Sequence, residues 1–109
     1  MIQRIWHGYT TLKNAEAYET LLKDTIMPGI AAREIPGYLG MQILRRVVEE
    51  RTDEVEFISI MNFDSLDSIK GFVGEDYAVA NLPEKAVQLM KRYDTRSQHY
   101  EIRDQRSYL

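Results

Sequence analysis

Apolar and polar residues alternate with a period near two from Ile2 to Thr10, in a stretch rich in aromatic and β-branched side chains, which predicts a strand. The period then changes. Asn14 stands where a helix cap is expected, and Ala15, Tyr18, Leu21, Leu22 and Ile26 follow at helical spacing. The Met27-Pro28-Gly29 triplet predicts a kink or an end to that helix, because proline lacks the amide a helix interior needs, and Ile30 to Arg33 adds a turn. "IPGY" launches a second strand running to about Val48, "ERTDE" turns the chain, and Val55 to Phe63 completes a β-hairpin. Asp64 or Ser65 caps a second helix carrying Leu66, Ile69, Phe72 and Val73, which Gly74 can close. "NLPEKAVQLMKRY" predicts a further short helix with Pro83 near its start, and Ser97 to about Arg106 predicts the last strand.

That order, β-α-β-β-α-β with an extra helical turn, is the split βαβ or ferredoxin-like arrangement, an α+β fold with an antiparallel sheet and helices on one face. A length of 109 residues without a Ser/Gly/Pro-rich linker gives one domain, residues 1–109. The strands carry a second message. In the third, Val55, Phe57, Met61 and Phe63 point one way while Ile58 and Ile60 point the other. In the second, Leu39, Met41, Ile43 and Val47 oppose Tyr38, Leu44 and Val48. Both sheet faces are therefore substantially apolar, although the helices cover only one. An uncovered face of several hundred Å² is unusual for a monomer. The expected cover is the same face of a second copy, a homodimer with sheets packed together.

Composition narrows the partners. There is no cysteine, which removes thiol nucleophiles, disulfides and zinc–thiolate sites and fits a reducing cytoplasm. A net charge of −3 without a basic run speaks against nucleic acid. No segment approaches the roughly 20 apolar residues that span a bilayer, and Gln3, Arg4, His7 and Gly8 break up the N-terminal stretch where a signal peptide would be apolar. The expected protein is a soluble cytoplasmic domain with a small-molecule or protein partner. Gly37 and Gly40 lack phosphate-loop spacing, Asp64 and Asp67 suit helix capping, and Glu49 and Glu50 stand close to Arg45 and Arg46. Neither histidine has a carboxylate at metal-ligand spacing, so no metal and no cofactor is expected.

"IPGYLGMQILRR", "VEFISIMNFDSLDSIKGF" and "SQHYEI", with the short length and the two-faced sheet, resemble the antibiotic biosynthesis monooxygenase family of dimeric α/β-barrel proteins. The resemblance covers nearly the whole chain. It implies that two copies form a dimeric α/β barrel and points to cofactor-independent oxidation of a small aromatic, phenol- or quinol-type molecule by dioxygen. Other members break down haem or lack a demonstrated activity, which leaves a non-catalytic ligand-binding dimer and a haem-handling protein as alternatives. The family's polyketide oxidases carry an amide where this chain has Ser59, a tryptophan at Phe63 and a tyrosine at Ile69. Its haem-degrading members carry a tryptophan at Phe72 and an iron-binding histidine near Asn81 or Leu82. The stretch "YAVANLP" has no histidine, and only Tyr77 there offers an iron ligand.

Candidate chemistry centres on the only two histidines, His7 and His99. The ferredoxin-like order brings the first and last strands together, antiparallel. An imidazole titrating near pH 6.5 in a pocket is suited to deprotonating a phenol, whose electron-rich anion can pass an electron to dioxygen. Tyr9 or Tyr100 would hold a substrate oxygen. Strand parity alone leaves two pairings open, His7 with His99 or His7 with Tyr100. The candidate catalytic residues are thus His7 and His99, and the candidate substrate-contacting residues are Tyr9, Tyr100, Ser59, Phe63, Phe72 and Tyr77.

Overall fold

The computed structural model describes residues 1–108, with Glu50 described through its backbone alone. Strand β1 (Ile2–Thr10) is followed by α1 (Ala15–Leu21), a π-helical stretch (Leu22–Ile26) and α2 (Met27–Ala32). Strands β2 (Tyr38–Glu49) and β3 (Glu54–Phe63) form the hairpin, joined by a 3₁₀ turn at Glu50–Thr52. Helices α3 (Leu66–Val73) and α4 (Glu84–Leu89) and strands β4 (Met90–Tyr93) and β5 (Gln98–Glu101) complete the chain. No helix among the described residues is long and apolar enough to cross a membrane.

The antiparallel sheet runs β2-β3-β1-β4, with β5 also on β1. Thus β1 pairs with β3 along one edge and with both short strands along the other: β4 meets Gly8–Thr10 and β5 meets Ile2–Ile5. Arg4, Trp6, Gly8 and Thr10 face the helices; Gln3, Ile5, His7 and Tyr9 face away. The inner side of the sheet carries two apolar clusters. One gathers Trp6, Ala15, Tyr18, Leu22, Val55, Phe57 and Ala86, with the Tyr18 ring edge-on to Phe57 at 4.9 Å. The other gathers Met61, Phe63 and Ile69 under α3.

Four local expectations change. Asn14 does not cap α1 with its side chain; its own amide is taken by the Thr11 carbonyl and hydroxyl, so Thr11 makes the turn. Pro28 neither ends nor interrupts α-helix: the preceding turn widens into the π-helical stretch, and Pro28 falls in the first turn of α2, where a missing amide is harmless. Ser65, extended at φ −155°, is the α3 cap and accepts from the Ser68 amide, as one of the two expected candidates. The other two changes concern the end of the chain. The helix of "NLPEKAVQLMKRY" stops at Leu89, whose carbonyl accepts from Thr10 Oγ1, and Met90–Tyr93 becomes β4 on the free edge of β1. The last strand stops at Glu101, far short of Arg106, because its partner β1 runs out: the Ile102 amide donates to Met1 O at 3.0 Å.

Parity in β2 is also revised. Tyr38 pairs with Phe63 but Gly40 with Asn62, an irregularity that Gly40 accommodates at φ +144°. Tyr38 therefore joins Met41 on the inner side, and Leu39 turns outward, 54% exposed. The outer face keeps an apolar centre of Ile5, Leu44, Ile58 and Ile60 within polar surroundings that include a Gln3–Asn62 hydrogen bond of 3.2 Å.

In the first strand, the Trp6 ring lies over Gly8 so closely that a Cβ there would stand 2.3 Å from the indole. Replacing Gly8 by alanine is expected to cost about 1–3 kcal/mol through overpacking, read as a lower urea midpoint at unchanged slope. An unchanged midpoint would show that the indole moves freely.

Candidate functional site

The two apolar clusters do not meet. Between them lies a cavity of about 100 Å³, bounded on the sheet by Arg4, Trp6, Ser59 and Met61 and above by Tyr18, Leu22, Ile26 and Ile30. Ala80–Pro83 and Ser97 close one side, and Phe72 the other. Ile26, Ile30, Phe72, Asn81 and Pro83 also line an adjoining cleft of about 330 Å³ against α2 and α3, which Arg33 borders. Together the two spaces reach the size range of small-molecule sites, which begins at roughly 300 Å³.

The cavity exists because the sheet row at its centre is small. Ser59 sits between Phe57 and Met61 on β3, opposite Trp6. The Trp6 indole leans along its own strand over Gly8 toward Met90, and its Nε1 donates to Asp94 O at 2.8 Å, so it does not fill the space above Ser59.

Arg4 is the charged group of the inner space. It is 5% exposed, and its guanidinium donates to the carbonyls of Tyr77 and Val79, the latter at 2.9 Å. Its Nη1 also lies 3.0 Å from His99 Nε2. Because arginine can only donate, Nε2 accepts and the His99 proton resides on Nδ1. Burial, and then the Arg4 charge, lower the proton affinity of His99 below the usual histidine value. Burial likewise lowers that of Arg4 and raises that of the Tyr18 hydroxyl. The Tyr77 ring packs edge-on against His99 at 5.1 Å, and Phe72 lies 6.0 Å from the Arg4 guanidinium.

The register separates the two histidines. His99 pairs with Arg4 and faces the helices, whereas His7 faces outward with Gln98 and Tyr100. Of the two pairings that parity left open, His7 with His99 is excluded by opposite faces. His7 Nδ1 and its backbone amide both meet Asp94 Oδ2 at 2.9 Å, and Gln98 Nε2 donates to the same oxygen at 3.1 Å. Tyr9 is also outside, its hydroxyl donating to Glu56 and its ring covered by the Arg92 guanidinium at 3.6 Å. Tyr100 is 55% exposed. His7, Tyr9 and Tyr100 therefore line no part of the inner cavity.

Of the remaining candidates, Ser59 and Phe72 line the cavity, and Phe63 is fully buried beside it between Tyr38 and Phe72. Tyr77 and His99 stand behind Arg4. Sequence reasoning missed Arg4, Asn81 and Ser97. For Arg4 the signal was present, since a charged residue shared the strand face of Trp6 and Gly8. Ser97 and Asn81 carried none.

A larger hollow, about 640 Å³, lies on the outer face where residues 101–105 pass over Gln3, Leu39, Gln42 and Asn62. It is a polar surface groove and belongs to the uncovered sheet face.

No family profile matches the chain, and no curated protein does. Solved structures do match. An antibiotic biosynthesis monooxygenase-type protein from Bacillus cereus superposes with a TM-score of 0.62 at 11% identity, over 99% of this chain and 95% of that one. A mutant of SnoaB, a cofactor-independent oxygenase from Streptomyces nogalater, superposes at 0.59 and 12% identity, over 95% of each chain. The chain shares their fold. An ethyl tert-butyl ether family protein from Bacillus halodurans follows at 0.52 and 18% identity, over 94% of this chain and 99% of that one. At these identities the likeness establishes architecture, the ferredoxin-like sheet with helices on one face.

The His99 environment has a consequence for pH. Unfolded, His99 takes up a proton near pH 6.5; folded, it resists doing so. This contribution to stability is thus present above about pH 6.5 and is lost as the pH falls through that value toward the lower folded one. Urea unfolding between about pH 7.5 and 5.5 is expected to show a steeper loss for the wild type than for His99→Gln. Equal slopes would show that His99 titrates normally.

Proposed function

We propose that the chain is a cofactor-independent oxygenase that admits a small phenol- or quinol-type aromatic to the inner cavity and oxidises it with dioxygen. The observation that carries this reading is the cavity itself, a space between sheet and helices walled by Phe72, Met61, Ile30 and Tyr18, with Arg4, Ser59, Asn81 and Ser97 as its polar groups. Predominantly apolar walls with a few convergent polar groups are what a small aromatic ligand requires. SnoaB, which shares the fold, is a cofactor-independent oxygenase.

The chemistry starts from the ionised phenol. Its ring passes one electron to dioxygen, and the two radicals combine at a ring carbon to form a peroxide. Loss of water leaves a new carbonyl, so a phenol and one dioxygen yield a quinone and one water. The chain's residues bind and orient the ring and exclude bulk water. In this scheme His99 does not act as the base; neutral and accepting from Arg4, it positions the guanidinium.

Oxygen uptake with 1-naphthol tests the reading. The wild type is expected to consume one dioxygen per naphthoquinone formed, and Ser59→Phe, which fills the cavity, to lose roughly tenfold or more, about 1.4 kcal/mol of binding or barrier. Uptake that survives Ser59→Phe would move the chemistry elsewhere. Binding of 1-naphthol without uptake would favour the non-catalytic ligand-binding alternative.

The homodimer belongs to the same proposal. Ile5, Leu44, Ile58 and Ile60 form an apolar centre, with the Arg46–Glu56 ion pair at 2.6 Å and the His7–Asp94 hydrogen bond at 2.9 Å around it. An apolar centre within a polar surround suits burial against a second copy. Light scattering is expected to give twice the 12.8 kDa chain mass, and Ile58→Glu to return it to the single mass with its circular dichroism unchanged. A wild type of single mass would refute the dimer.

A further inference from the structure

We propose that Arg4 makes the inner cavity selective for an aromatic ligand bearing an ionised oxygen, a phenolate, enolate or carboxylate, over neutral molecules of the same shape. The inference rests on the inner cavity being the substrate site and adds the charge class of what enters it.

The argument begins with where the arginines find their counter-charges. Seven of the nine in the chain lie within 4.0 Å of a carboxylate: Arg45, Arg46, Arg51, Arg92, Arg96, Arg103 and Arg106. Among the described residues, the two without one are Arg4 and Arg33. They border the adjoining spaces, Arg4 the cavity and Arg33 the cleft. The Phe72 ring lies between them, 6.0 Å from the Arg4 guanidinium and 4.8 Å from that of Arg33. Among the described residues, no Asp, Glu or Lys lines either the cavity or the cleft. In a chain of net charge −3, the charged side chains among the described residues that border these adjoining spaces are both arginines.

The two cations differ in burial. Arg33 is exposed and donates to Phe72 O at 3.0 Å, so water screens it. Arg4 is 95% removed from solvent, and its acceptors are two backbone carbonyls and a neutral imidazole, which supply dipoles and no charge. Of its five donor hydrogens, that on Nε and one on Nη2 have no acceptor among the described residues. A buried charge without a counter-ion is costly, and a desolvated anion placed against it recovers that cost. Arg33 would draw such an anion to the cleft, and Arg4 would hold its oxygen in the cavity, with the ring against Phe72. A phenol binding this way gives its proton to water on entry, the state from which the proposed oxidation starts.

Arg4 also ties Tyr77 and Val79 to the sheet, so the test reads a ratio that a purely structural role leaves alone. Calorimetry compares 2-naphthoate with 2-naphthamide, which match in shape and differ in charge. The wild type is expected to bind the carboxylate about tenfold tighter or more. Arg4→Gln is expected to bring the ratio near one, whatever the amide affinity becomes, and Arg4→Lys to retain part of it. Arg33→Gln is expected to leave most of the preference. Equal binding of the two probes by the wild type, or full preference surviving in Arg4→Gln, would overturn the proposal. If Arg4→Gln fails to fold, the Arg4→Lys ratio and the wild-type ratio decide in the same way. Binding of 1-naphthol in two buffers of different ionisation heat separates the sources: proton release assigns a phenolate, and its absence beside naphthoate preference assigns a carboxylate. A naphthoate preference without oxygen uptake would sink the oxygenase reading alone, whereas failure of every probe to bind would sink both.

Discussion

The Arg4 guanidinium, donating to the carbonyls of Tyr77 and Val79, is the contact on which the inner space depends. The chain between α3 and α4 has almost no regular structure. Its backbone is held by a single bridge, Val79 to Arg96, flanked by Ala80 N to Thr95 O at 3.0 Å and Ser97 N to Ala78 O at 2.6 Å. Those bonds tie it only to the β4–β5 connection. Arg4, reaching up from the middle of the sheet, ties it to β1, and a charge-assisted donor is stronger than the neutral bonds beside it. With that tie, Ala80–Pro83 stand as a wall above the sheet and border the space beneath. One side chain thus anchors the wall and supplies the charge inside it.

A gap in a close-packed core also needs a reason on the sheet. Here the row through Trp6, Ser59 and Ile43 is flanked by Phe57 on one side and Met61 on the other. Serine is too small to reach the helices, and the one large side chain in the row is drawn aside over Gly8 by its bond to Asp94 O. The π-helical stretch lies directly above, presenting Leu22 and Ile26 to the cavity. A small sheet residue, a diverted indole and a widened helical turn together separate the two apolar clusters.

How much of this was legible follows from what each residue must satisfy. The strands of β1 and β3 show in their alternation because one face must meet the helices, and Ser65 shows as a cap because its hydroxyl serves a free amide. The α4–β4 boundary does not show, since Leu89, Met90 and Tyr93 fit a helical stripe as well as a strand; the free edge of β1 and the Thr10 hydroxyl decide it. The bulge at Gly40 is equally silent, because a glycine reads the same in either register. At the site, attention went to the histidines because they titrate near neutrality. The informative residue was instead the one whose charge never changes. Arg4 shares a strand face with Trp6 and Gly8, and a fixed charge in a buried row demands a counterpart more strongly than an imidazole that can shed its proton.

The two faces of the sheet solve the problem of charge in opposite ways. Outside, charged groups are bonded to close neighbours: Glu56 takes both Arg46 and the Tyr9 hydroxyl, and Asp94 accepts from the His7 amide and Gln98. The Arg46–Glu56 pair cancels its own charge, which lowers the electrostatic penalty of packing that face against another apolar one. Inside, carbonyl dipoles orient Arg4 without cancelling it. That arrangement is poor for stability, because a hydrophobic residue of similar size would fill the same row without a desolvation cost. The anionic ligand proposed for the neighbouring space would supply the charge that the carbonyls do not. The division also explains why the histidines cannot share work: each belongs to its own face, His7 bonded to Asp94 outside and His99 as the uncharged support of a cation inside.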